Sequence, residues 1–226
     1  MSALTPDLLL CAYASGLFPM ANDRHDPTIH WIDPKRRGVL PLHRFHQPKS
    51  LRKLIRKGVF EVRVDGAFAE VIEACAEARP ERPRTWLNDE LIALYCMLHR
   101  RGYAHSVETW AGGRLVGGLY GVSLGAAFFG ESMFSHTRDA SKVALAALVE
   151  RLSAGGYRLL DTQFVSDHLR RFGAIEIARE RYRRELRRAL ATPAIFYSDG
   201  GAVVSGTPWM PSIGAIGSAQ SVTQMS

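Results

Sequence analysis

The chain has 226 residues, 46% of them hydrophobic, and a formal net charge of +7. That is enough apolar sequence for one large domain, or for one domain with a small lobe. It contains no apolar run long enough to cross a bilayer, and its start lacks the basic region and cleavage pattern of a signal peptide. We therefore expect no membrane-spanning helix and no membrane partner. The positive charge favours a polyanionic partner, but only weakly on its own.

Three cysteines, Cys11, Cys75 and Cys96, are widely spaced and form no CxxC pair. This spacing is typical of free thiols in a reducing cytoplasm and disfavours a disulfide or a zinc site. We therefore predict a cytoplasmic protein with no bound metal.

Residues 1–45 have the pattern of a small N-terminal lobe. A helix is predicted from Pro6 to Gly16, with Thr5 as its cap and proline in its first turn. Trp31 then opens the pattern W-x-x-P-x-x-R-G. From the residues alone, a tryptophan in this place is either a core anchor or a platform for a ligand, and core anchors are commoner.

A basic helix is predicted next, in the run HQPKSLRKLIRKG. Its cations recur with helical spacing and share one face. Repulsion between like charges along that face favours phosphates as counterions, although a merely solvated face is the alternative. The residues concerned are Lys49, Arg52, Lys53, Arg56 and Lys57.

Residues 46–197 read as one α/β domain. After residue 59 the predicted order is strand, two helices, three strands, helix, strand, helix and strand. A mixed sheet with a central hairpin and a helix crossing after it fits this order, as in an N-acetyltransferase-like (GNAT) domain. Residues 198–226 are rich in Gly, Ser and Pro without periodicity, and we predict a flexible tail there.

Candidate functional groups lie where the strands end. If GESMFS is a strand, Glu131, Met133 and Ser135 share one face, and Asp161 and Gln163 share a face of the strand LLDTQ. Should the two strands be neighbours, carboxylates and an amide meet beside apolar side chains, as in a small-molecule site. The alternative is a solvated strand glutamate and an aspartate in a turn.

These segments resemble a known family. SVETW, LVGGLYG, FFGESMFS, ASKVAL and LLDTQ, followed by HL and FGA, are similar to the motifs of leucyl/phenylalanyl-tRNA–protein transferases, and the resemblance covers roughly residues 5–190. It implies transfer of Leu or Phe, and more weakly Met, from aminoacyl-tRNA to the N-terminal Arg or Lys of acceptor proteins. The product would enter N-degron proteolysis. It also implies the small lobe and the N-acetyltransferase-like domain.

The resemblance implies roles for individual residues. Asp161, Gln163 and Glu131 would surround the reacting ester and amines, and Trp31 and Trp86 would hold the 3′-terminal adenosine. The pocket for the donor side chain would be formed by segments that contain Leu119, Phe128, Met133, Phe134 and Ser135.

An aminoacyl ester is already activated, so the reaction needs neither ATP nor a metal, and we expect no cofactor. Separately, we expect a monomer. The Gln163 carbonyl is expected to orient the attacking amine, with Asp161 setting its electrostatics, or else the ribose hydroxyl relays the proton. Replacing Asp161, Gln163 or Glu131 by Ala should cut transfer and leave the fold intact.

Two other functions compete with this one. An acetyl-CoA-dependent acetyltransferase would carry a glycine-rich loop before the long helix, where this chain has HTRDASKVAL without glycine. A non-catalytic RNA-binding module would account for the basic helix but not for the Glu131, Asp161 and Gln163 cluster.

Overall fold

A computed structural model describes residues 4–78, 83–197 and 222–223. In these ranges the chain forms seven α-helices, one 3-10 turn and ten strands in two sheets. The helices are α1 (Pro6–Ala14), α2 (Lys49–Arg56), α3 (Phe68–Ala76), α4 (Asp89–Arg100), α5 (Ala140–Ala154), α6 (Asp167–Arg170) and α7 (Arg179–Leu190). The strands are β1 (Phe18–Met20), β2 (His30–Ile32), β3 (Arg36–Val39), β4 (Glu61–Val64), β5 (Ala104–Ala111), β6 (Arg114–Leu124), β7 (Ala127–Ser135), β8 (Leu159–Gln163), β9 (Ile175–Ala178) and β10 (Val222–Thr223).

The helix caps follow the sequence signals. Thr5 Oγ1 accepts a hydrogen bond from the Leu8 amide at 3.2 Å, and the Asn88 side chain accepts one from the Leu91 amide at 2.9 Å. Each cap satisfies an amide that has no partner inside its helix, and such caps contribute about 1 kcal/mol. They fix where α1 and α4 begin, and both helices carry residues of the site.

The main sheet has seven strands in the order β4-β5-β6-β7-β8-β3-β9. All neighbouring pairs are antiparallel except β7 and β8, which are parallel and are connected through α5. Buried residues of α5 form one apolar cluster with Phe128 and Leu160. Buried residues of α1, α3, α4 and α7 form the other cluster, with Tyr120 and Phe129. The sheet is therefore covered on both faces, a mixed α/β architecture.

The N-terminal segment completes this sheet. β3 lies between β8 and β9, although it precedes the predicted domain boundary at residue 45. That boundary stays a prediction, and the lobe before it contributes a strand to the central sheet. The predicted tail, residues 198–226, lies outside the described residues except for β10, which pairs in parallel with β2.

The sheet opens between its two parallel strands. β7 and β8 pair only where Ala127, Phe128 and Phe129 face Leu159, Leu160 and Asp161. Those three β7 residues are fully buried, whereas all four residues 130–133 are partly exposed. A central strand is ordinarily covered throughout, so this exposure marks a gap in the middle of the sheet.

None of the helices in the described ranges is long and apolar enough to cross a membrane. None of the three cysteines forms a disulfide within the described ranges: Cys75 is buried, and Cys11 and Cys96 are partly exposed.

Candidate active site

A cavity of about 690 Å³ occupies the opening between β7 and β8. Its lining combines apolar side chains with carboxyl, amide, hydroxyl and imidazole groups, the usual composition of a ligand site. The lining residues are Leu119, Tyr120, Gly130, Glu131, Ser132, Met133, Leu145, Leu148, Leu160, Thr162, Gln163, Ser166, His168 and Leu169. The volume exceeds what one amino-acid side chain needs, so the cavity has room for more than a single donor side chain.

Glu131 and Gln163 meet across this opening. Gln163 Nε2 donates to Glu131 Oε1 at 2.9 Å, and the Tyr95 hydroxyl donates to Glu131 Oε2 at 3.0 Å. The Tyr95 and Tyr13 hydroxyl oxygens are 2.6 Å apart. Four elements, α1, α4, β7 and β8, thereby hold one carboxyl group in place. Because Gln163 donates through its nitrogen, its carbonyl oxygen is left to accept a hydrogen bond from a substrate amine.

The Gln163 backbone is in the left-handed region, with φ at +54°. A non-glycine residue with such a φ costs on the order of 1–3 kcal/mol and persists only where its surroundings hold it. Here the Gln163 amide donates to Asp161 Oδ1 at 2.8 Å. The turn at the end of β8 explains why Thr162 and Gln163 both line the cavity, where strict strand alternation predicts that only one of them would.

Asp161 belongs to a buried ion pair and is not among the cavity-lining residues. Its two carboxylate oxygens accept from Arg37 Nε at 3.0 Å and from Arg37 Nη2 at 2.7 Å. The Tyr182 hydroxyl donates to Asp161 Oδ2 at 2.6 Å. The same guanidinium lies 4.4 Å from the Phe18 ring centre and 4.6 Å from that of Tyr182. Asp161 thus bonds to the Gln163 amide from outside the cavity. Because its removal would leave the buried Arg37 unpaired, we expect Asp161→Ala to weaken the fold, whereas the sequence alone predicts an intact fold.

Gly38 lets β3 approach the end of β8 closely. A Cβ at this position would lie 2.7 Å from the Phe164 carbonyl carbon and 2.9 Å from Thr162 Oγ1, both too close. Glycine is thus required immediately after Arg37, where the sequence shows the R-G of the tryptophan motif.

The electrostatics of the site centre on Glu131. Burial raises the pKa of Glu131 to about 7, and the nearby Asp161 charge adds to this rise. Hydrogen bonds from Tyr13 and Tyr95, together with the Arg37 charge, act in the opposite direction and favour the carboxylate. Burial alone would lower the pKa of Arg37, but the charges and hydrogen bonds around it, chiefly those of Asp161 with Tyr182 and Glu131, together raise it. The pKa of Glu131 thus lies near neutral pH, where a carboxyl group can accept a proton and release it again.

The structure brings together only part of the predicted donor pocket. Leu119 and Met133 line the cavity, with Leu145 and Leu148 of α5 opposite. Phe128, Phe134 and Ser135 do not line it. Phe128 is fully buried and stacks on Phe196 at 5.6 Å between ring centres. Since β7 is paired on both sides at Phe128, that ring belongs to the core behind the pocket.

The two predicted adenosine-binding tryptophans lie on the side of the first apolar cluster. Trp31 in β2 is only 9% exposed, and Trp86 is partly buried against the same cluster. The Trp86 carbonyl accepts from the Ala21 amide at 2.9 Å, which ties it to the N-terminal segment. Neither residue lines the cavity, so their contact with adenosine stays a prediction.

The basic helix has the predicted form. All five of its cations are exposed, and none of them makes an ion pair within the described ranges. The helix contains no carboxylate, and its buried residue is Leu51. Lys49, Arg52 and Arg56 also line a groove of about 870 Å³ whose floor includes Val64 and Val107. The face is thus available to phosphates, and its role with RNA stays a prediction.

Sequence reasoning missed four residues of the site: Arg37, Tyr13, Tyr95 and Tyr182. The motif that begins at Trp31 contains Arg37, but nothing in it reveals that the arginine is 1% exposed and paired with a residue 124 positions away. The tyrosines lie on apolar helix faces, where they read as ordinary core residues. Their hydroxyl contacts exist only in the folded chain.

Two family models match this sequence. The model described as leucyl/phenylalanyl-tRNA protein transferase matches residues 39–187, and the model of the N-terminal domain of the same family matches residues 2–35. The first range contains every residue that lines the cavity and also Asp161, whereas Arg37 of the buried ion pair falls between the two ranges.

Curated relatives agree with the family models. A protein from Caulobacter vibrioides named leucyl/phenylalanyl-tRNA–protein transferase is 62% identical over 195 residues, covering 86% of this chain and 90% of its own. Proteins with that name from Paramagnetospirillum magneticum and Phenylobacterium zucineum are each 58% identical. Those matches cover 87% and 88% of this chain, and 94% and 90% of the relatives.

Proposed function

Because this chain belongs to the leucyl/phenylalanyl-tRNA–protein transferase family, we propose that it moves Leu or Phe, and more weakly Met, from aminoacyl-tRNA to N-terminal Arg or Lys. Proteins so marked would enter N-degron proteolysis. We further propose that the protein is a cytoplasmic monomer. We also propose that its catalytic domain is GNAT-like, and the parallel pair of β7 and β8, connected through α5, supports this fold.

The observation that carries this proposal is the hydrogen-bonded Glu131–Gln163 pair in the wall of an otherwise largely apolar cavity. Aminoacyl transfer must hold an amine beside an ester while an apolar side chain is accommodated nearby. Glu131 and the Gln163 carbonyl oxygen suit the amine, and Leu119 and Met133 suit the side chain. No phosphate-cradling glycine loop precedes α5, which disfavours acetyl-CoA as the donor.

The reaction forms an amide and breaks an ester. The acceptor nitrogen attacks the aminoacyl carbonyl carbon, the bond to the ribose oxygen breaks, and that oxygen leaves with a proton as the free hydroxyl of the tRNA. Glu131, whose pKa is about 7, accepts the proton that the acceptor ammonium must lose before attack. The Gln163 carbonyl oxygen orients the nitrogen. The ribose hydroxyl is the alternative route for the proton.

In this proposal Asp161 and Arg37 do not contact the reacting atoms and act through Gln163. Their ion pair holds the Gln163 backbone in its left-handed turn through the 2.8 Å bond from the Gln163 amide to Asp161. We assign them as positioning residues. The donor tRNA would lie across the exposed cations of α2, with its 3′ end directed towards the sheet opening.

Transfer of labelled Leu from Leu-tRNA to peptides that start with Arg, Lys or Ala tests this function directly. We expect product with Arg and Lys, little with Ala, and none when acetyl-CoA replaces the tRNA. Acetylation without aminoacyl transfer would contradict the proposal. Binding of the tRNA with no transfer to any peptide would do so as well.

A further inference from the structure

One aromatic ring lies on the surface directly beside the site. Phe164 follows Gln163 in the chain and is 44% exposed. Every other Phe, Tyr and Trp that the structure describes is buried or only partly exposed. Phe164 is not among the residues that line the cavity between β7 and β8. The ring is therefore an exposed aromatic group just outside the cavity, next to a residue of the site.

A strained turn holds the backbone of Phe164. Its amide donates to the Thr162 carbonyl at 2.6 Å across Gln163, whose φ is +54°. A hydrogen bond over two residues with a positive φ between them is the rare, strained form of the γ-turn. Gly38 packs against the same turn, where a Cβ would lie 2.7 Å from the Phe164 carbonyl carbon. A side chain on a backbone held in this way loses little freedom when a ligand binds to it.

The Phe164 ring keeps at least one face uncovered by its aromatic neighbour. The Phe18 ring packs against it with 5.7 Å between the ring centres and 81° between the ring planes. In such a T-shaped pair one ring presents only its edge, so the contact covers no more than one face of Phe164. A single exposed apolar side chain needs no explanation. A flat ring on a held turn beside Gln163, with a free face, has the geometry of a platform for stacking a base.

Positive charges lie along the chain that carries this ring. In the antiparallel pair of β3 and β8, Gly38 lies opposite Gln163, so the residues before Gly38 run alongside the residues after Gln163. Two of them, Lys35 and Arg36, are exposed. Arg36 pairs with Glu176, whereas Lys35 forms no ion pair within the described ranges. An aromatic face accompanied by cations is the combination that binds single-stranded nucleic acid.

We infer that Phe164 stacks on the penultimate base of the donor tRNA, the cytidine before the terminal adenosine, with Lys35 near the phosphate between these two nucleotides. The inference rests on the proposed function, because it concerns the donor of that reaction. The terminal adenosine carries the ester, which has to lie beside Gln163, and Trp31 and Trp86 are the predicted partners of that adenosine. The next base of the single-stranded CCA end is then the one left for the ring that follows Gln163.

The first test uses the unaltered enzyme and three short donors. They are leucyl-adenosine, the leucylated dinucleotide CpA, and the same dinucleotide with an abasic residue in place of cytidine. The cytidine base should raise kcat/KM about 5- to 150-fold over the abasic dinucleotide, through KM, which is the range for one base stacked on an aromatic side chain. Equal kcat/KM values for these two dinucleotides would overturn the inference.

The second test compares Phe164→Leu with Phe164→Trp. Leucine can still pack on Phe18 but has no flat ring, whereas tryptophan keeps one. With leucylated CpA, Phe164→Leu should lose the same factor of about 5- to 150-fold, and Phe164→Trp should stay within about 2-fold of the unaltered enzyme. Neither variant should change kcat/KM for leucyl-adenosine or KM for the acceptor peptide. Ile195→Ala is the matched control, since Ile195 is an apolar residue beyond α7 that is 45% exposed, and it should change none of these values.

The outcomes separate this inference from the function on which it rests. If Phe164→Leu weakens leucyl-adenosine as much as the dinucleotide, the ring contacts the terminal adenosine and the inference is wrong. If the variant raises only KM for the peptide, the ring contacts the acceptor and the inference is wrong as well. If the unaltered enzyme transfers Leu from no donor, including Leu-tRNA, the proposed function fails and the inference fails with it. The abasic comparison needs no variant, so it decides the inference whatever Phe164→Leu does to stability.

Discussion

Arg37 Nη2 lies 2.7 Å from Asp161 Oδ2, and neither side chain is more than 1% exposed. Removing one partner of such a pair leaves an unpaired buried charge. We expect Arg37→Met to lower the free energy of unfolding by about 3–5 kcal/mol.

Arg36→Met is the control, since Arg36 is exposed and pairs with the exposed Glu176. The control should change the free energy by less than about 1 kcal/mol. Urea denaturation measures both, and equal midpoints would show that the buried pair contributes nothing.

The pH dependence of transfer should report the Glu131 carboxyl. If the carboxylate is the active form, kcat/KM rises with pH and levels off above about 7, the pKa that burial gives Glu131. Tyr95 donates to this carboxylate and so favours it. Tyr95→Phe removes that bond, so the pKa rises further and the acid limb of the pH profile moves to higher pH.

Tyr157→Phe is the matched control for this shift. Tyr157 also loses a short hydrogen bond on substitution, the 2.6 Å contact with Ser123, but it lies in the second apolar cluster away from Glu131. Its profile should coincide with that of the unaltered enzyme. If the Tyr95→Phe profile also coincides with that of the unaltered enzyme, the acid limb does not report the ionisation of Glu131.

Salt dependence should identify the tRNA surface. Replacing Arg52, Lys53 and Arg56 by Ala removes three exposed cations of α2. The slope of log K against log salt should flatten by roughly 0.7–0.9 for each lost phosphate contact, and all aminoacyl-tRNAs should weaken about equally. The same charge change on α7, at Arg184, Arg187 and Arg188, is the control. If the α7 variant flattens the salt slope more than the α2 variant does, the tRNA binds at α7 and not at α2.

Local sequence signals predicted the local elements well. The caps of α1 and α4, the cationic face of α2 and the two strands that carry Glu131 and Gln163 all follow from spacing and residue type. The sequence left open whether these two strands are neighbours, and the structure pairs them. These features depend on residues close in sequence or on strand periodicity, and both are visible in the amino-acid sequence.

The parts that sequence could not predict depend on contacts between distant segments. The insertion of β3 between β8 and β9 brings Arg37 to Asp161, so this carboxylate lies in a buried ion pair and does not line the cavity. The left-handed turn at Gln163 breaks the strand alternation on which the face assignment relied. Phe128 was expected in the pocket because of its segment, but it lies where β7 is still paired on both sides.

Donor choice should depend on Met133. An unbranched, polarizable side chain can adapt to a flat ring and to a branched chain, and each methylene in an apolar pocket discriminates by about 1–3 kcal/mol. We expect Met133→Ala to loosen the preference for Leu over bulkier donors and to leave the acceptor preference unchanged. Competition among Leu-, Phe-, Met-, Val- and Ile-charged tRNAs against one Arg-starting peptide measures this.

Met97→Ala is the control for the donor competition. Met97 is partly buried against the first apolar cluster and does not line the cavity. Its donor ranking should match that of the unaltered enzyme. An unchanged ranking in Met133→Ala, with rates lowered evenly, would place the donor pocket elsewhere.

Single-turnover transfer by Glu131→Gln tests the central claim most directly. This substitution keeps the shape of the side chain and an oxygen that can accept from Gln163, but it removes the charge that holds and deprotonates the amine. With Leu-tRNA and an Arg-starting peptide both saturating, we predict a rate about 10²- to 10³-fold lower, the usual cost of one lost electrostatic contact in a transition state. The thermal midpoint and tRNA affinity should be retained. A rate within a few-fold of the unaltered enzyme would show that the transfer does not take place at Glu131.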